Sequence, residues 1–435
     1  MPGIVAIIGR PNAGKSSLFN RLTASKNAIV DDMPGVTRDR LYGEVEYRGK
    51  NFYVIDTGGI YGEDTAFSTG IKAHVEEALR ECDVIIFVID GHDGVTISDE
   101  QIADFIRRAN RPVVVAVNKL DDPKHDDIAN DAYSLGFENV LPISALHKRG
   151  LDDLLEIVMN FLPDEIPEQV SQNEIKLVIA GKPNVGKSSL LNKLTNSERS
   201  LVSPIAGTTR DPVDMSVNID GQDFRLIDTA GLRKRAKFDG DLEYYSFVRT
   251  LSAVDRSDVA LLLMDAGEPC TDQDKKIAAH IAQKGKGLVI ILNKWDLVDG
   301  SKADKILQKI RDDMPFLSYA PVVFASALNG RGLDKIIKAS LTVHQNRQRR
   351  IPTNLLNRLM RDVLAFDRLP SDRKGRSLKV YYCSQADAVP PTFIFFVNKP
   401  ELVNSSFENH VKNKLRELED FNGTPIRTFW RGKEN

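Results

Sequence analysis

The stretch GRPNAGKS at Gly9–Ser16 follows a short apolar run, precedes a helix-like segment, and recurs as GKPNVGKS at Gly181–Ser188. Both stretches fit the pattern G-x-x-x-x-G-K-[ST] of a phosphate-binding loop. In such a loop the glycines let the backbone curl so that its N–H groups face phosphate oxygens, and the following helix adds its positive end. The loop lysine reaches phosphate and the last hydroxyl binds Mg²⁺, which assigns these roles to Lys15 and Ser16, and to Lys187 and Ser188.

The sequence around these loops is duplicated as well. GVTRD at Gly35–Asp39 recurs as GTTRD at Gly207–Asp211, and DTGGI at Asp56–Ile60 recurs as DTAGL at Asp228–Leu232, all at an offset of 172 residues. An Asn-Lys-x-Asp segment and a Ser-Ala pair follow at offsets of 175 and 182. Self-similarity in this order over such a length indicates that a whole domain was duplicated.

The segments between the loop and the Asn-Lys-x-Asp motif carry the expected metal and γ-phosphate ligands. An aspartate that ends a strand can hold Mg²⁺ through water, and the glycine three residues later can present its N–H to the γ-phosphate. An isolated D-x-x-G is also compatible with a simple strand-ending turn, but here it lies at the same distance from both loops. The expected Mg²⁺ ligands are Ser16, Thr37, Asp56, Ser188, Thr209 and Asp228, and the expected catalytic groups are Lys15, Lys187, Gly59 and Gly231.

The Asn-Lys-x-Asp segments select the base. A carboxylate accepts hydrogen bonds from guanine N1–H and the N2 amine, whereas adenine has no such donor pair and leaves the charge unpaired. The lysine stem can cover the purine ring, and the Ser-Ala backbone can donate to guanine O6. As the fourth of five motifs in order, this segment predicts GTP rather than ATP.

The predicted nucleotide ligands therefore form two equivalent sets. In the first copy they are Gly9, Arg10, Pro11, Asn12, Ala13, Gly14, Lys15, Ser16, Asp56, Thr57, Gly58, Gly59, Ile60, Asn118, Lys119, Leu120, Asp121, Ser144 and Ala145. In the second copy they are Gly181, Lys182, Pro183, Asn184, Val185, Gly186, Lys187, Ser188, Asp228, Thr229, Ala230, Gly231, Leu232, Asn293, Lys294, Trp295, Asp296, Ser326 and Ala327.

Strand-like and helix-like segments alternate in each copy, which predicts an α/β fold with a mainly parallel sheet and helices on both faces. Ser98–Gln101 is expected to be a capping box that starts a helix. The predicted limits are residues 1–165 for the first copy, 166–174 for an acidic linker, 175–346 for the second copy and 347–435 for a small α+β domain.

Composition narrows the remaining possibilities. Cys82, Cys270 and Cys383 lie far apart, which predicts reduced thiols rather than disulfides or a zinc site. The N-terminus has no signal-peptide pattern and the apolar runs are short, so a cytoplasmic protein without stable membrane association is expected. The net charge is −2, yet residues 346–435 carry 17 Lys/Arg against 10 Asp/Glu. That basic region favours a polyanionic partner or is simply a solvated surface.

With these motifs established, the whole chain resembles the Der (EngA) family of bacterial GTPases: two Era-like G domains followed by a KH-like domain. The resemblance implies a GTP-hydrolysing switch that assists assembly of the large (50S) ribosomal subunit and binds ribosomal RNA, with no DNA partner and a monomeric state. Alternatives are a GTP-dependent RNA-modification or tRNA-maturation factor, which needs a catalytic group such as Cys383, and a regulatory nucleotide sensor without turnover.

The residue after D-x-x-G is apolar in both copies, Ile60 and Leu232, and cannot orient the attacking water as a switch Gln does. Related GTPases with an apolar residue there often use K⁺, which a loop Asn helps to bind. The resemblance therefore implies that Asn12 and Asn184 are K⁺ ligands, unless each only shapes its loop. Only the second copy carries a basic run in this switch, Arg233–Lys237, which is either a solvated loop or a nucleotide-dependent contact.

The C-terminal region is expected to contain a helix at Asn354–Ala365, a hairpin of Leu378–Cys383 with Thr392–Val397, a helix capped at Ser405–Glu408, and a strand at Ile426–Trp430. A typical KH domain binds RNA through a GxxG loop, but the corresponding turn near Asn404–Ser406 has no glycine. RNA binding is therefore assigned to basic residues: Arg347, Arg349, Arg350, Arg373, Lys374, Arg376 and Lys379. Phe429 and Trp430 are expected to be core residues more often than base-stacking ones.

Overall fold

A computed structural model describes residues 3–23, 42–56, 82–109, 111–162, 174–196, 200–204, 214–229, 243–366, 369–371 and 376–432. The chain divides into two compact units, residues 1–169 with 239–252 and residues 170–238 with 253–435. The α/β fold predicted from sequence is confirmed.

The first unit contains a six-stranded sheet in the order β2-β3-β1-β4-β5-β6. All its neighbouring strands are parallel except the β2–β3 pair. The strands are β1 (Gly3–Ile8), β2 (Tyr42–Tyr47), β3 (Lys50–Asp56), β4 (Val84–Asp90), β5 (Val113–Asn118) and β6 (Asn139–Pro142). The helices are α1 (Lys15–Thr23), α2 (Ile97–Arg108), α3 (Leu151–Phe161) and the 3₁₀ helix Pro123–Leu135.

The second unit repeats this architecture with one additional strand, in the order β13-β12-β11-β7-β10-β9-β8. Its strands are β7 (Ile175–Ala180), β8 (Ser200–Pro204), β9 (Met215–Ile219), β10 (Gln222–Ile227), β11 (Val259–Asp265), β12 (Gly287–Asn293) and β13 (Val322–Phe324). The helices of this part of the chain are α4 (Lys187–Thr195), α5 (Glu243–Arg256), α6 (Asp272–Gln283), α7 (Ala303–Asp313) and α8 (Leu333–Arg347). Strands β4 and β11 are apolar up to their final aspartates, Asp90 and Asp265, and their apolar residues are almost completely buried, as expected for the centre of a parallel sheet.

The C-terminal region adds a three-stranded sheet in the order β14-β15-β16. It contains α9 (Thr353–Phe366), β14 (Val380–Ala388), β15 (Pro391–Val397), α10 (Ser405–Leu418) and β16 (Arg427–Gly432). The predicted hairpin is the antiparallel β14–β15 pair, and the predicted last strand runs parallel to β15.

This region is joined to the second sheet by main-chain hydrogen bonds. The N–H of Leu288, at the start of β12, donates to the carbonyl of Gly423 at 2.8 Å, and the N–H of Gly423 donates to the carbonyl of Tyr319 at 2.7 Å. Gly423 has φ +78°, and a Cβ there would lie 2.1 Å from Val343 Cγ2. Only glycine fits both the left-handed backbone and this close approach.

Two predicted helix caps are wrong. Helix α2 is capped by Thr96, whose Oγ1 accepts from the Asp99 N–H while Asp99 Oδ2 accepts from the Thr96 N–H at 3.0 Å. Ser98 lies inside the helix, so the capping box begins two residues earlier than predicted. Helix α10 is capped by Asn404, whose side chain accepts from the Phe407 N–H at 2.8 Å, because Ser405 is already the first helical residue.

The three cysteines are free, as predicted, and all three are buried. Burial raises the pKa of the Cys270 and Cys383 thiols to about 12, so both are protonated near neutral pH. In the described part of the chain, no helix has the length and apolar content that crossing a bilayer requires.

Candidate nucleotide-binding sites

The first phosphate loop connects β1 to α1. Lys15 is 8% exposed, and its ammonium donates a 2.7 Å hydrogen bond to the Arg10 carbonyl, which bends the side chain back over the loop. Asn12 and Gly14 have φ +65° and +93°, so the loop uses two left-handed residues to turn its N–H groups inward. The helix that begins at Lys15 places its positive end at the same point.

Ser16 and Asp56 meet beside this loop, because β3 lies next to β1 and Asp56 is its last residue. The Ser16 hydroxyl donates to Asp56 Oδ2 at 2.7 Å, and Asp56 is 2% exposed. Burial lowers the pKa of Lys15, and the carboxylate of Asp56 opposes that change. A hydroxyl and a carboxylate at hydrogen-bond distance form a hard oxygen pair that fits Mg²⁺, which also takes ligands from phosphates and water.

Asn118 links the phosphate loop to the loop that contains Ser144 and Ala145. Its Nδ2 donates to the Ala13 carbonyl at 3.0 Å, and its Oδ1 accepts from the Ala145 N–H at 3.0 Å. A Cβ at Gly14 would lie 2.2 Å from the same Nδ2, so a side chain there would displace this amide. Asn118 is 3% exposed, and both of its partners lose their hydrogen bond if the amide is removed.

Lys119 is fixed by an ion pair at the ends of neighbouring strands. Its backbone is left-handed at φ +71°, and its Nζ lies 2.6 Å from Asp90 Oδ2 at the end of β4. Burial alone would raise the pKa of Asp90, but hydrogen bonds from Lys119 and the His92 N–H outweigh it and lower that pKa. The ion pair holds the lysine stem in one orientation, where it can cover a planar base.

The Asp121 carboxylate is exposed and partly oriented by its neighbours. Ser144 Oγ donates to Asp121 Oδ1 at 2.6 Å, and His147 Nε2 lies 3.6 Å from Asp121 Oδ2. A paired bridge between Ser144 and Arg149 holds this loop. Carboxylate oxygens can then accept from a base edge while Ala145 presents its N–H nearby.

The second copy repeats the contacts of the loop lysine, of the buried asparagine and of the lysine that follows it. Lys187 donates to the carbonyls of Gly181 and Lys182 at 2.7 and 2.6 Å, and Asn184 and Gly186 are left-handed at φ +60° and +99°. Asn293 donates to the Val185 carbonyl at 2.7 Å and accepts from the Ala327 N–H at 2.8 Å. Lys294 pairs with Asp265 at 2.7 Å, and Ser326 pairs with Arg331.

The two sites differ around their rims. The second site has an aromatic residue, Trp295, which packs on Phe324 with ring centroids 4.3 Å apart. The equivalent residue of the first site is the aliphatic Leu120, which is buried. At the position of His147, the second copy has Asn329, whose N–H donates to Ser326 Oγ at 3.3 Å. The imidazole beside the Asp121 carboxylate is therefore a feature of the first copy.

Sequence reasoning missed the anchor of each phosphate loop. Arg10 lies 2.6 Å from Asp93 and 3.5 Å from the fully buried Asp99 of the α2 capping box. In the second copy Lys182 occupies the position of Arg10 and pairs with the exposed Glu268, also at 2.6 Å. The sequence contained a sign of this anchor: Asp93 and Glu268 are acidic residues at equivalent positions of the two copies, separated by the offset of 175 that also relates the Asn-Lys-x-Asp segments.

Several predicted ligands lie outside the described residues: Thr37, Thr57, Gly58, Gly59, Ile60, Thr209, Ala230, Gly231, Leu232 and the basic run Arg233–Lys237. Asp228 is described at the end of β10 in a left-handed conformation, φ +57°, and Thr229 is buried. Within the described ranges no group of three or more His, Cys, Asp or Glu side chains could hold a metal by itself.

The predicted basic surface of the C-terminal region is wrong for Arg347. This residue is 4% exposed, and its guanidinium donates to the Asp258 and Gly285 carbonyls. Burial lowers the pKa of Arg347, and α8 uses this side chain to pack on the second sheet. Arg349 is exposed but pairs with Glu419, and Arg350, Arg376 and Lys379 are exposed. Arg373 and Lys374 lie outside the described residues.

Of the two aromatic residues of β16, one belongs to the core and one does not. Trp430 stacks on Phe395 with centroids 4.4 Å apart, as a core residue should. Phe429 is 49% exposed, so the expectation of a core position is wrong for it. The reason is strand alternation, since neighbouring residues of β16 face opposite sides of the sheet.

Family models and curated relatives agree with this description. A family model described as a 50S ribosome-binding GTPase matches residues 4–119 and 176–294, and one described as the KH-domain-like C-terminal domain of EngA bacterial GTPase enzymes matches residues 350–431. GTPase Der of Geobacillus sp. (strain WCH70) is 46% identical, with 99% of each chain covered. GTPase Der of Natranaerobius thermophilus is 45% identical, covering 99% of this chain and 98% of that one. Among solved structures, Era of Aquifex aeolicus bound to GDP and AlF₄⁻ aligns at 22% identity and a TM-score of 0.30, covering 60% of this chain and 93% of that chain.

Two parallel-sheet domains with equivalent loops and Asn-Lys-x-Asp segments define a P-loop GTPase, which binds and hydrolyses GTP. Within the P-loop GTPases, this chain is distinguished by two G domains in tandem and a small KH-like domain after them. The chain belongs to the GTPase Der family.

Proposed function

We propose that this GTPase is a nucleotide-dependent switch that binds the large (50S) ribosomal subunit and its RNA and assists assembly of that subunit in the cytoplasm. The observation that carries the proposal is the combination, in one chain, of two equivalent nucleotide sites with a C-terminal region of net charge +7. The description of the family model that matches both G domains, a 50S ribosome-binding GTPase, supports it.

We further assign each site its ligands. Lys15 and Lys187 contact phosphate, Ser16, Asp56, Ser188 and Asp228 hold Mg²⁺ together with Thr37 and Thr209, and Asp121 and Asp296 read guanine. The 2.7 Å contact of Ser16 with Asp56 and the Asn118 and Asn293 hydrogen bonds support this assignment. Domain limits at residues 165, 174 and 346 follow from the repeats and stay a prediction.

Potassium stimulation is proposed for both sites. Asn12 and Asn184 are exposed at the loop rim, where their side-chain oxygens can reach a cation beside the phosphates. Their left-handed backbones also agree with a loop-shaping role, since Asn adopts this conformation more readily than most residues. The reason for preferring the cation is chemical, because the apolar Ile60 and Leu232 cannot orient water.

Turnover measurements test the catalytic part. GTP hydrolysis is measured in K⁺ and in Na⁺ for the wild type, Lys15→Ala and Lys187→Ala. Each variant should retain the activity of its intact site, and K⁺ should stimulate both. Equal rates in the two salts would contradict the potassium proposal while leaving the GTPase assignment intact.

Co-sedimentation tests the biological part. Purified large subunits are pelleted with the full chain in the presence of a non-hydrolysable GTP analogue or GDP. The GTP analogue should increase the fraction of wild-type protein that pellets with large subunits, relative to GDP. The Lys15→Ala, Lys187→Ala double variant should show no such increase. Nucleotide-independent binding, or none, would refute the switch.

The rival RNA-modification function requires a nucleophile in the C-terminal region, and Cys383 does not suit it. The thiol is completely buried within β14, its Sγ lies 3.5 Å from Asn357 Oδ1, and its pKa is raised to about 12. Nucleophilic cysteines need thiolate character and access to substrate.

A further inference from the structure

One face of the C-terminal sheet carries exposed aromatic side chains. Strand β15 alternates strictly: Phe393, Phe395 and Val397 are completely buried, whereas Ile394 and Phe396 between them are partly exposed. The buried set packs against α9 and α10 in the hydrophobic core of this region. Both described helices of the region therefore cover the inner face, and the partly exposed set defines the opposite face of the same sheet.

The register places further aromatic and basic side chains on that face. Tyr382, Phe396 and Arg431 are directly opposite one another across the three strands, and Ile394 lies opposite Phe429 in the next row. Tyr382 and Phe429 are 46% and 49% exposed, and the Tyr382 and Phe396 rings lie 6.2 Å apart. We call these five residues the outer sheet face: Tyr382, Ile394, Phe396, Phe429 and Arg431.

Positive charge lies at one end of the outer sheet face. Arg431 is exposed in the same row as two aromatic rings, and Lys379 is exposed just before β14, where its backbone exchanges two hydrogen bonds with Asn398. The carboxylate of Asp387 lies toward the opposite end of β14 and accepts from the N–H groups of Ala388 and Val389. The charges beside the aromatic rings thus complement a polyanion.

We propose that the outer sheet face binds unpaired RNA by stacking bases on Tyr382, Phe396 and Phe429 while Arg431 and Lys379 contact phosphates. The proposal rests on the proposed function, because it names the surface by which that switch holds RNA. Rows on a strand face are about 7 Å apart, which matches bases spread along an extended single strand. Aromatic faces accept any base, so binding should favour single strands with little sequence preference.

Fluorescence anisotropy with the full-length protein tests the face directly. The probes are a labelled RNA of about ten nucleotides without internal pairing and the same sequence as a duplex. Phe429→Ala and Tyr382→Ala should each weaken single-strand binding about 5- to 150-fold, the range for losing one base–aromatic stack. Tyr133→Ala removes a ring that is 50% exposed in the first unit and should leave binding unchanged. Arg431→Gln removes one phosphate contact, so the slope of log K against log salt concentration should become less steep by about 0.7.

Phe429→Leu distinguishes an RNA base from an apolar protein surface as the partner of this face, because it keeps an apolar side chain but removes the ring. Loss of RNA binding with Phe429→Leu and its retention with Phe429→Trp is the expected result. Equal RNA binding by Phe429→Leu would overturn base stacking and indicate that the face serves as an apolar protein contact instead. Equal affinity for duplex and single strand would also overturn base stacking, and would indicate binding through the phosphates alone.

Co-sedimentation with large subunits keeps the two proposals distinguishable. If the Ala variants bind the single strand as wild type does, while GTP-dependent association with large subunits persists, the outer sheet face is refuted and the proposed function stands. If the single strand binds as predicted but wild type shows no nucleotide-dependent association, the face stands and the proposed function is refuted.

Discussion

The amide of Asn118 is the side chain whose removal should most clearly test how the two loops of the first nucleotide site are held together. Replacing it with alanine deletes the donor to the Ala13 carbonyl and the acceptor for the Ala145 N–H. The Gly14 backbone, which approaches the amide closely, also loses its packing partner. Phosphate loop and base-binding loop then no longer hold each other in register.

The cost follows from burial. Asn118 is 3% exposed, so the two main-chain partners are left unsatisfied away from water. Each such group costs about 1–3 kcal/mol, which gives about 2–6 kcal/mol for the pair. Because a bound nucleotide needs both loops in their native positions, at least about 2 kcal/mol should appear in binding, or about 30-fold in Kd.

The assay uses fluorescent GTP and GDP in a background of Lys187→Ala, so that only the first site reports. Asn118→Ala should weaken both nucleotides together, and Asn293→Ala in a Lys15→Ala background should do the same at the second site. Asn130→Ala, which alters an exposed asparagine of the 3₁₀ helix, is the matched control. Affinity within about threefold of the parent protein, with an unchanged melting temperature, would refute the linking role of Asn118.

Three further changes probe packing, capping and charge. Gly423→Ala should lower the free energy of unfolding in urea by more than about 2 kcal/mol, because left-handed backbone strain of about 1–2 kcal/mol adds to a steric clash. Gly221→Ala is the control: its backbone is also left-handed, at φ +86°, but the space around it is open, so it should show the strain alone. Thr96→Ala should cost about 1 kcal/mol in the same assay and Ser98→Ala less than half of that; the reverse order would restore the cap predicted from sequence. Burial, followed by nearby positive charge, lowers the pKa of Lys286 from 10.5 to about 8, so between those values the unfolded chain holds a proton that the folded chain has released. Stability of wild type relative to K286M should therefore rise by about 3 kcal/mol from pH 8 to pH 10.5, and a flat difference would exclude this burial cost.

The sequence was sufficient for features that depend on local spacing. The phosphate loops, the strand-ending aspartates and the Asn-Lys-x-Asp segments are each a few residues long, and parallel strands bring their carboxyl ends to one edge. Once the strands are recognised, the neighbourhood of Lys15, Asp56 and Asn118 follows. The hairpin and last strand of the C-terminal region were likewise predictable from alternation, to within a few residues.

Features that depend on contacts between distant segments were not predictable in this way. Arg347 looked like a surface cation, yet its stem and guanidinium fill the space between α8 and the start of β12. The tie between Arg10 and Asp99 needs both the loop and the Thr96 cap in place. A serine two positions later was an equally good cap by residue type, so only the start of the helix decides between them.

The hydrogen bond from Leu288 to Gly423 has a consequence for biosynthesis. Strand β12 is synthesised well before the C-terminal region, but the N–H of Leu288, its second residue, receives its partner only when the chain has been extended to Gly423. Closing so long a loop is a late and entropically costly step. A nascent chain released before residue 423 leaves the Leu288 N–H without the Gly423 carbonyl, so C-terminal truncations of this protein should be cleaved by proteases more readily than the full-length chain.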